Sequence, residues 1–328
     1  MRILITGGGG FLGQKLANYL CETGTIAQYD ISEITLADIQ KPPGISGAVH
    51  ISRVIADISK AEDAKALFAQ KPDIIFHLAA VVSGAAEADL DLGMRVNLGG
   101  TINILESARQ QGEKTGQPPM VIFASSVAVH GGEAPAVVPD GVELNPQSSY
   151  GTQKAIGELL VQDYSRRGLI DGRGLRLPTV TIRPGKANAA ASSFMSSIFR
   201  DTLQGGNANC PVPREFPVWH SSPRTVVENL IHAAEVPAEA FGYNRNLNLP
   251  GRTDTIGEMI EAMTAVAGPD AATRITWESD PAIEKIVSGW RGYFRPEKGL
   301  ALGFKPDISF EKSVQYFLED DIVLPQGS

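Results

Sequence analysis

Two side chains that can move a proton together stand four residues apart in the run SSYGTQKAIGELL, Tyr150 and Lys154. Residues i and i+4 share one face of a helix, so the lysine ammonium would lie beside the phenol and favour its ionised form. A free tyrosine has a pKa of about 10, and lowering it by ~3 units takes on the order of 4 kcal/mol of differential stabilisation. With one further positive charge nearby, Tyr150 is predicted to act as the acid/base and Lys154 as its helper.

A serine pair, Ser125 and Ser126, ends an apolar stretch about one helix length upstream of this tyrosine. A serine hydroxyl within reach could hold a substrate oxygen while the tyrosine takes its proton. Tyrosine and lysine are common on helix surfaces, so their spacing alone is weak evidence. The interpretation depends on the rest of the chain.

The chain opens with a glycine-rich turn between a predicted strand and a predicted helix. The run MRILITGGGGFLGQKLANYL places glycines at 7, 10 and 13. In such a turn, glycine permits positive φ, lets the backbone approach a pyrophosphate and allows the helix to pack closely on the strand. The free N–H groups and dipole at the helix start favour an anion. This pattern predicts a dinucleotide site, and an oxidised nicotinamide would supply the further positive charge at Tyr150.

An acidic residue at the end of the next predicted strand favours NAD as the dinucleotide. Asp38 ends the predicted strand Ile34–Ile39, where its carboxylate would accept hydrogen bonds from ribose hydroxyls and repel a 2′-phosphate. Lys41 lies nearby and is the argument for a phosphate instead. Asp57 and Ile58 follow the predicted strand Val49–Ala56 and are candidates for the adenine edge, with a solvated turn aspartate as the alternative for Asp57.

Composition excludes several classes of function. The formal charge of −8 and the pI near 5.2 argue against a nucleic-acid surface. Cys21 and Cys210 form neither a disulfide framework nor a metal motif, and the five histidines are scattered, so no metal is expected. No apolar run reaches the ~18 residues of a membrane helix. We expect a cytoplasmic protein without a membrane or nucleic-acid partner.

Alternating strand and helix patterns through the first half predict an α/β fold, a doubly wound parallel sheet of the Rossmann type. Glu87–Gln111 is predicted as one long helix, and Leu175–Ile182 as one strand. After Pro184 the composition becomes small, polar and proline-rich. We therefore predict a dinucleotide-binding domain over 1–184 and a smaller substrate-binding lobe over 185–328 that partly returns to the main sheet.

Five ordered motifs resemble the extended short-chain dehydrogenases/reductases, the group that includes nucleotide-sugar epimerases and dehydratases. They are TGGGGFLG, HLAA, FASSVAVHG, YGTQK and IRPGK, and the resemblance covers roughly residues 1–320. It implies Tyr150 as the acid/base, Lys154 on the nicotinamide ribose and Ser126 as the serine, with Ser125 still an alternative. Asn97 matches a family asparagine that we interpret as structural. The implied cofactor contacts are Gly7, Gly10, Phe11, Leu12, Gly13, Asp38, Asp57, Ile58, Leu78, Ala79, Ala80, Ser125, Tyr150, Lys154 and Pro184.

A narrower resemblance, in VVSGAAEADLDLGMRVN, IRPGKANAAASSF and SSPRTVVENLIHA, is to sugar-acid dehydrogenases of this group. It implies NAD-dependent oxidation of the C2 hydroxyl of a four-carbon aldonate to a 2-oxo acid. His130 stands where a tyrosine is frequent in nucleotide-sugar enzymes, and Ser222-Pro223-Arg224 replaces a frequent acidic residue. The alternatives are a nucleotide-sugar 4-epimerase or dehydratase, an activity like that of L-threonine 3-dehydrogenase, and a non-enzymatic NAD(H) sensor.

A carboxylate substrate needs a cation, and bidentate arginine is the usual solution. Arg224, at the start of a predicted helix, is our candidate, with Arg183 and Lys186 as alternatives. Trp219 and Phe194 either wall the pocket or fill the core. Candidates for binding substrate hydroxyls are Ser83, Ser126, Asn188, Ser192 and Ser193.

The helices predicted over 87–111 and 148–168 carry apolar stripes. In relatives the equivalent pair forms a four-helix interface, which predicts a homodimer.

Overall fold

Seven parallel strands form the central sheet of the computed structural model, which describes residues 1–186 and 191–322, the side chains of Ala191 and Ala282 excepted. One three-stranded sheet and three two-stranded sheets complete the β-structure of the described residues. The strands of all these sheets, in chain order, are β1 (Arg2–Thr6), β2 (Thr25–Ile26), β3 (Tyr29–Asp30), β4 (Glu33–Asp38), β5 (His50–Ile55), β6 (Ile74–His77), β7 (Met120–Ser126), β8 (Val137–Pro139), β9 (Asp171–Leu177), β10 (Thr179–Val180), β11 (Ala208–Asn209), β12 (Pro217–Ser221), β13 (Asn246–Asn248), β14 (Arg252–Thr255), β15 (Ile275–Thr276) and β16 (Tyr293–Arg295).

Twelve α-helices connect and cover these strands in the described ranges: α1 (Phe11–Thr23), α2 (Ala61–Ala66), α3 (Ser83–Ala88), α4 (Leu90–Gly93), α5 (Gly100–Thr115), α6 (Ser149–Arg166), α7 (Phe194–Leu203), α8 (Pro223–Glu235), α9 (Ile256–Ala267), α10 (Pro281–Val287), α11 (Glu297–Ala301) and α12 (Phe310–Asp320). A π-helical segment, Met94–Gly99, joins α4 to α5. Short 3₁₀ turns occur at Val127–Val129, Ala191–Ser193, Ala238–Phe241 and Ala272–Arg274.

The order of the strands confirms the predicted doubly wound α/β fold. The central sheet runs β13-β9-β7-β6-β1-β4-β5, and every neighbouring pair is parallel. The chain moves outward from β1 through β4 to β5, then crosses back to β6 and continues in the opposite direction. Ligands of such sheets bind beyond the carboxyl ends of the strands, where this direction reverses. The reversal lies between β1 and β6.

Helices cover both faces of the sheet because alternate residues of each buried strand point to opposite sides. On one face, Ile3 and Ile5 of β1 pack with α1 and α8. On the other face, Leu4 packs in a core that includes residues of α2, α5 and α6. A third core lies in the C-terminal half among α7, α9 and α12, where the rings of Phe199 and Phe310 are 4.8 Å apart.

The two halves of the chain are interleaved. Strand β13 pairs with β9 at one edge of the central sheet, and α8 packs against α1, although both come from the part after residue 184. A buried carboxylate, Asp307, also ties the C-terminal segment to the start of α8, accepting hydrogen bonds from Ser221, Ser222 and Thr225. The domain boundary at residue 184 stays a prediction.

Two predicted elements are divided in the structure. The single helix predicted over Glu87–Gln111 consists of the end of α3, α4, the π-helical segment and most of α5, because Asp89 ends α3 in extended geometry and caps α4 through Leu92 N (2.9 Å). The strand predicted over Leu175–Ile182 is divided at Pro178, which has no N–H to donate to a ladder.

In the described ranges, no helix has both the length and the apolar character needed to span a membrane.

Candidate active site

The glycine turn after β1 is shaped for close contact with a ligand. Gly7 has φ +72°, and a Cβ there would lie 2.8 Å from the Ala79 nitrogen. A Cβ at Gly13 would clash with the carbonyl oxygen of Gly7, so α1 packs on the turn only with glycine at this position. Helix α1 has no side-chain cap and no acidic residue in its first turn. Its free N–H groups therefore suit an anionic group such as a pyrophosphate.

Asp38 lies beside this turn at the end of β4. Its Oδ2 accepts a hydrogen bond from Gly9 N (2.9 Å), and its Oδ1 accepts one from Ile39 N (2.7 Å). The carboxylate is thus fixed in orientation while it still lines the cleft. At the end of β5, a hydrogen bond from Ser59 holds the pKa of Asp57 below its usual range, so this side chain is also a carboxylate.

A cleft of about 1270 Å³ runs along the carboxyl ends of the strands. It brings together most of the residues that the sequence predicts for cofactor and substrate. Its lining includes Gly7, Gly10, Phe11, Leu12, Gly13, Asp38, Asp57, Ile58, Leu78, Ala79, Ala80, Ser83, Ser125, Ser126, Tyr150, Lys154, Arg183, Ser192 and Trp219. The glycine turn, the acidic strand end and the apolar walls fit a dinucleotide.

Helix α6 delivers the tyrosine and lysine to this cleft. Ser148 caps the helix by accepting from Gly151 N (3.1 Å), which places Tyr150 in the first turn. Lys154 is buried one turn later, where its ammonium donates to the carbonyl of Ala124 (2.8 Å) and lies 5.7 Å from the centre of the Tyr150 ring. The two side chains share one face of the helix, as their spacing predicts.

The pKa of Tyr150 in the free protein differs from the sequence-based expectation. Burial raises the pKa of this phenol to about 12, against the lowering effects of a hydrogen bond with Ser126 and of the nearby Arg183 cation. Burial also lowers the pKa of Lys154 to about 8. Desolvation therefore outweighs the effects of Ser126 and Arg183, and the phenol is neutral at pH 7. A base at this position requires additional positive charge.

The two serines at the end of β7 have different partners. Ser126 lies close enough to Tyr150 to lower the pKa of its phenol, and its hydroxyl accepts from Ala128 N (3.1 Å). Ser125 is buried and donates to Glu158 (2.5 Å), away from the tyrosine. This geometry favours Ser126 for holding a substrate oxygen. Asn97 is buried between Val81 and Gln153, a structural position.

Arg224, our candidate for binding a carboxylate, does not lie in the cleft. Its guanidinium pairs with Glu319 and Asp320 of α12 and stacks on the ring of Tyr316, 4.0 Å from its centre. The prediction was wrong because the partners of Arg224 come from a helix about 95 residues later, which the local sequence does not reveal.

Arg183 lines the cleft instead, close enough to Tyr150 for its charge to lower the pKa of the phenol. Its Nη2 donates to the backbone oxygen and the hydroxyl of Ser192, both at 2.8 Å, and its backbone N donates to Ser196 (3.1 Å). Burial lowers the pKa of Arg183 to about 10, so it remains a cation at neutral pH. In the described part of the chain, no acidic side chain forms an ion pair with it.

Several other predicted residues are placed differently. Pro184 does not line the cleft, although its neighbour Arg183 does, and Lys186 is exposed outside it. Phe194 is buried in the C-terminal core, whereas Trp219 both lines the cleft and packs on Phe294 (5.2 Å between ring centres). Asn188 lies outside the described residues.

One wall of the cleft comes from residues that the sequence does not predict to be part of the site. Lys285, Trp290 and Arg291 line it from the C-terminal half, and Arg291 donates to the backbone oxygens of Gly132 (2.5 Å) and Ala134 (3.0 Å). The segment SGWRGYF carries no motif that could have placed it here.

The model of the NAD dependent epimerase/dehydratase family matches residues 3–235, and the chain belongs to this family. The resemblance to extended short-chain dehydrogenases/reductases is therefore confirmed, and with it a nicotinamide cofactor as the ligand class.

Within the family, the chain is 49 % identical over 324 residues to D-erythronate dehydrogenase of Cupriavidus necator, with 98 % of each chain covered. It is 42 % identical over 322 residues to D-erythronate dehydrogenase of Haemophilus influenzae, covering 98 % of this chain and 100 % of that one. Among solved structures, it is similar to a nucleoside-diphosphate-sugar epimerase from Agrobacterium tumefaciens, with a TM-score of 0.93 and 44 % identity over 98 % of this chain and 94 % of that chain.

Proposed function

We propose that this protein is an NAD-dependent dehydrogenase that oxidises the C2 hydroxyl of a small sugar acid, D-erythronate, to the 2-oxo acid. The two relatives that bear the name D-erythronate dehydrogenase match the chain over almost its whole length. The observation that carries the proposal is Arg183, a cation in the cleft beside Tyr150 with no acidic partner among the described residues.

Arg183 suits the carboxylate of a 2-hydroxy acid. A guanidinium binds a carboxylate through paired, charge-assisted hydrogen bonds, and Ser192 and Ser196 already hold this one in place. In a 2-hydroxy acid the carboxylate is bonded to the carbon that bears the reacting hydroxyl. A cation next to the acid/base therefore fixes that hydroxyl near Tyr150.

The side chains divide the reaction between them. Ser126 holds the substrate oxygen, Tyr150 accepts its proton, and Lys154 keeps positive charge near the phenol. A nicotinamide cofactor, when bound, supplies the hydride acceptor. Because the pKa of Tyr150 is about 12 in the free protein, its role as a base depends on the oxidised form of the cofactor.

Asp38 supports NAD over NADP. Its carboxylate is fixed by Gly9 and Ile39 at the end of β4. An acid at this position accepts from ribose hydroxyls and repels a 2′-phosphate. We therefore propose NAD as the cofactor.

The experiment is an assay of NADH formation across C3–C5 aldonates, L-threonine and UDP- and dTDP-sugars. We expect net NADH from D-erythronate and no conversion of the nucleotide sugars. Sugar epimerisation without net NADH would instead support the activity named for the Agrobacterium structure and overturn the proposal.

The carboxylate site is tested by Arg183→Met, with Arg224→Met as the matched control. Hydrogen bonds to charged groups contribute about 1.5–3 kcal/mol, so Arg183→Met is expected to lower kcat/KM for D-erythronate by about 10–100-fold. Arg224→Met should leave kcat/KM near the wild-type value. Equal effects of the two substitutions would exclude Arg183 as the carboxylate ligand.

A further inference from the structure

A third ionisable residue continues the helix face that carries Tyr150 and Lys154. Glu158 lies one further turn along α6 and is 1 % exposed. Helix α6 packs there against β7 and β9, so the carboxylate lies inside the protein behind the cleft. A buried carboxylate is costly unless it is paired, and its position calls for an explanation.

The carboxylate connects two strands of the site. It accepts from Ser125 Oγ (2.5 Å) on β7 and from Arg176 Nε (2.9 Å) and Nη2 (2.7 Å) on β9. Ser125 directly precedes Ser126, the serine that lines the cleft beside Tyr150 and lowers the pKa of its phenol. The contact therefore fixes the end of the strand that carries a reacting side chain.

The same carboxylate provides negative charge to the buried lysine. Lys154 donates to a neutral carbonyl, and within the described ranges no carboxylate forms an ion pair with it. Burial lowers the pKa of Lys154, and the charge of Glu158 opposes that effect. His77 of β6 lies near Lys154 and is neutral, because burial and the charge of Lys154 lower the pKa of this imidazole to about 3.

The remaining groups around Glu158 do not supply another negative charge to Lys154. Arg176 is its ion-pair partner, and Asn246 of β13 donates to its backbone oxygen. His130 lies close to Arg176, and burial lowers the pKa of that imidazole, so it is neutral at pH 7. On the cleft side, Arg183 is a second cation near Tyr150 and lowers the pKa of its phenol.

We propose that Glu158 is a positioning residue for the reaction: through Ser125 it fixes the strand end that bears Ser126, and its negative charge keeps Lys154 an ammonium beside Tyr150. This inference rests on the proposed function for its kinetic readout. Removing the charge would lower the pKa of Lys154. Activity requires the ammonium form of Lys154, so activity is lost as pH rises through the pKa of this lysine. Without the charge of Glu158, that loss of activity would begin at lower pH.

The experiment compares Glu158→Gln, Ser125→Ala and the double variant Glu158→Gln/Arg176→Gln with wild type. The amide in Glu158→Gln can still accept from Ser125 but carries no charge, whereas Ser125→Ala removes the tether and keeps the charge. The double variant replaces both buried charges, so it avoids an unpaired Arg176 if Glu158→Gln alone fails to fold. Glu113→Gln, in an exposed pair with Arg109, is the control that should behave as wild type.

Two measurements are made on each variant: the pH profile of kcat, and the NMR titration of ¹³Cε-labelled Lys154, which needs no substrate. We expect Glu158→Gln to move the alkaline limb and the lysine titration down by ~1 unit or more, and the double variant to move both in the same direction by less, because it also removes the positive charge of Arg176. Ser125→Ala should lower kcat about tenfold through misplacement of Ser126 without moving either titration.

The outcomes separate this inference from the proposed function. An unmoved lysine titration in both charge variants overturns the electrostatic part, whatever the substrate is. A Ser125→Ala variant with wild-type kcat overturns the tether. If wild type does not oxidise D-erythronate, the proposed function fails, but the titration still tests Glu158.

Discussion

At the scale of single residues, the chemistry depends on opposing effects at one hydroxyl. Burial raises the pKa of Tyr150, while Ser126 and Arg183 lower it, and burial prevails in the free protein. The hydroxyl is therefore prepared to donate or accept a proton only when the charge around it changes. The reactivity of Tyr150 therefore depends on the charge that a bound cofactor brings into the cleft as well as on Lys154.

Tyr150→Phe is expected to lower kcat by about 10²–10⁴-fold, because general acid–base catalysis typically contributes that much. Binding of NAD should weaken by no more than ~1 kcal/mol, the value of one hydrogen bond. Steady-state kinetics and calorimetric titration with NAD measure the two effects.

The matched control is Tyr164→Phe, on the same helix but hydrogen-bonded to Glu106 outside the cleft. It should retain wild-type kcat. Substantial turnover by Tyr150→Phe would remove this tyrosine from the mechanism.

At the scale of elements, short sequence patterns predicted the local geometry of the site, but they did not predict contacts between segments far apart in the chain. Glycines between a strand and a helix, and a tyrosine and lysine one turn apart, specify their geometry within a few residues of sequence. Arg224 failed because α12, far along the chain, supplies its carboxylates. Glu158 had a local signal, since it follows Lys154 by one helical turn, but its role depends on Arg176 of another strand.

The glycine turn can be tested by Gly13→Ala. The added methyl meets the Gly7 carbonyl, where both backbones are fixed, and overpacking of this kind costs typically ~1–3 kcal/mol. We expect a lower Tm and weaker NAD binding, measured by calorimetry.

Gly99→Ala is the comparison for this variant, because its Cβ would make only ordinary contact, 3.6 Å from the Met94 oxygen. It should keep the wild-type Tm and NAD affinity. If Gly13→Ala behaved in the same way, the close packing of α1 on the turn would not matter for the site.

At the scale of the whole molecule, we propose that the protein is a homodimer through the helices that follow β6 and precede β9. Large apolar side chains are exposed on these helices, including Leu90 (57 %) and Leu159 (61 %). Exposed apolar patches of this kind mark interaction surfaces. The sequence predicts the apolar stripes on these helices, but it does not show which surface packs against them.

Leu159→Glu is expected to convert the dimer to a monomer, because a charge would be buried at the interface. Light scattering coupled to gel filtration measures the mass. Ile308→Glu, at an exposed apolar residue of the C-terminal segment (82 %), should remain dimeric. A monomeric wild type at micromolar concentration would contradict the proposal.

The pairing of β13 with β9 limits how this fold can acquire new substrates. Cutting the chain at residue 184 and grafting on a different lobe would remove the edge strand β13 and also α8, one of the two helices that cover Ile3 and Ile5. The exposed row of N–H and C=O groups on β9 would then promote aggregation. Specificity in this lineage is therefore expected to diversify by point substitutions around Arg183 and the Lys285–Arg291 wall, not by exchange of modules.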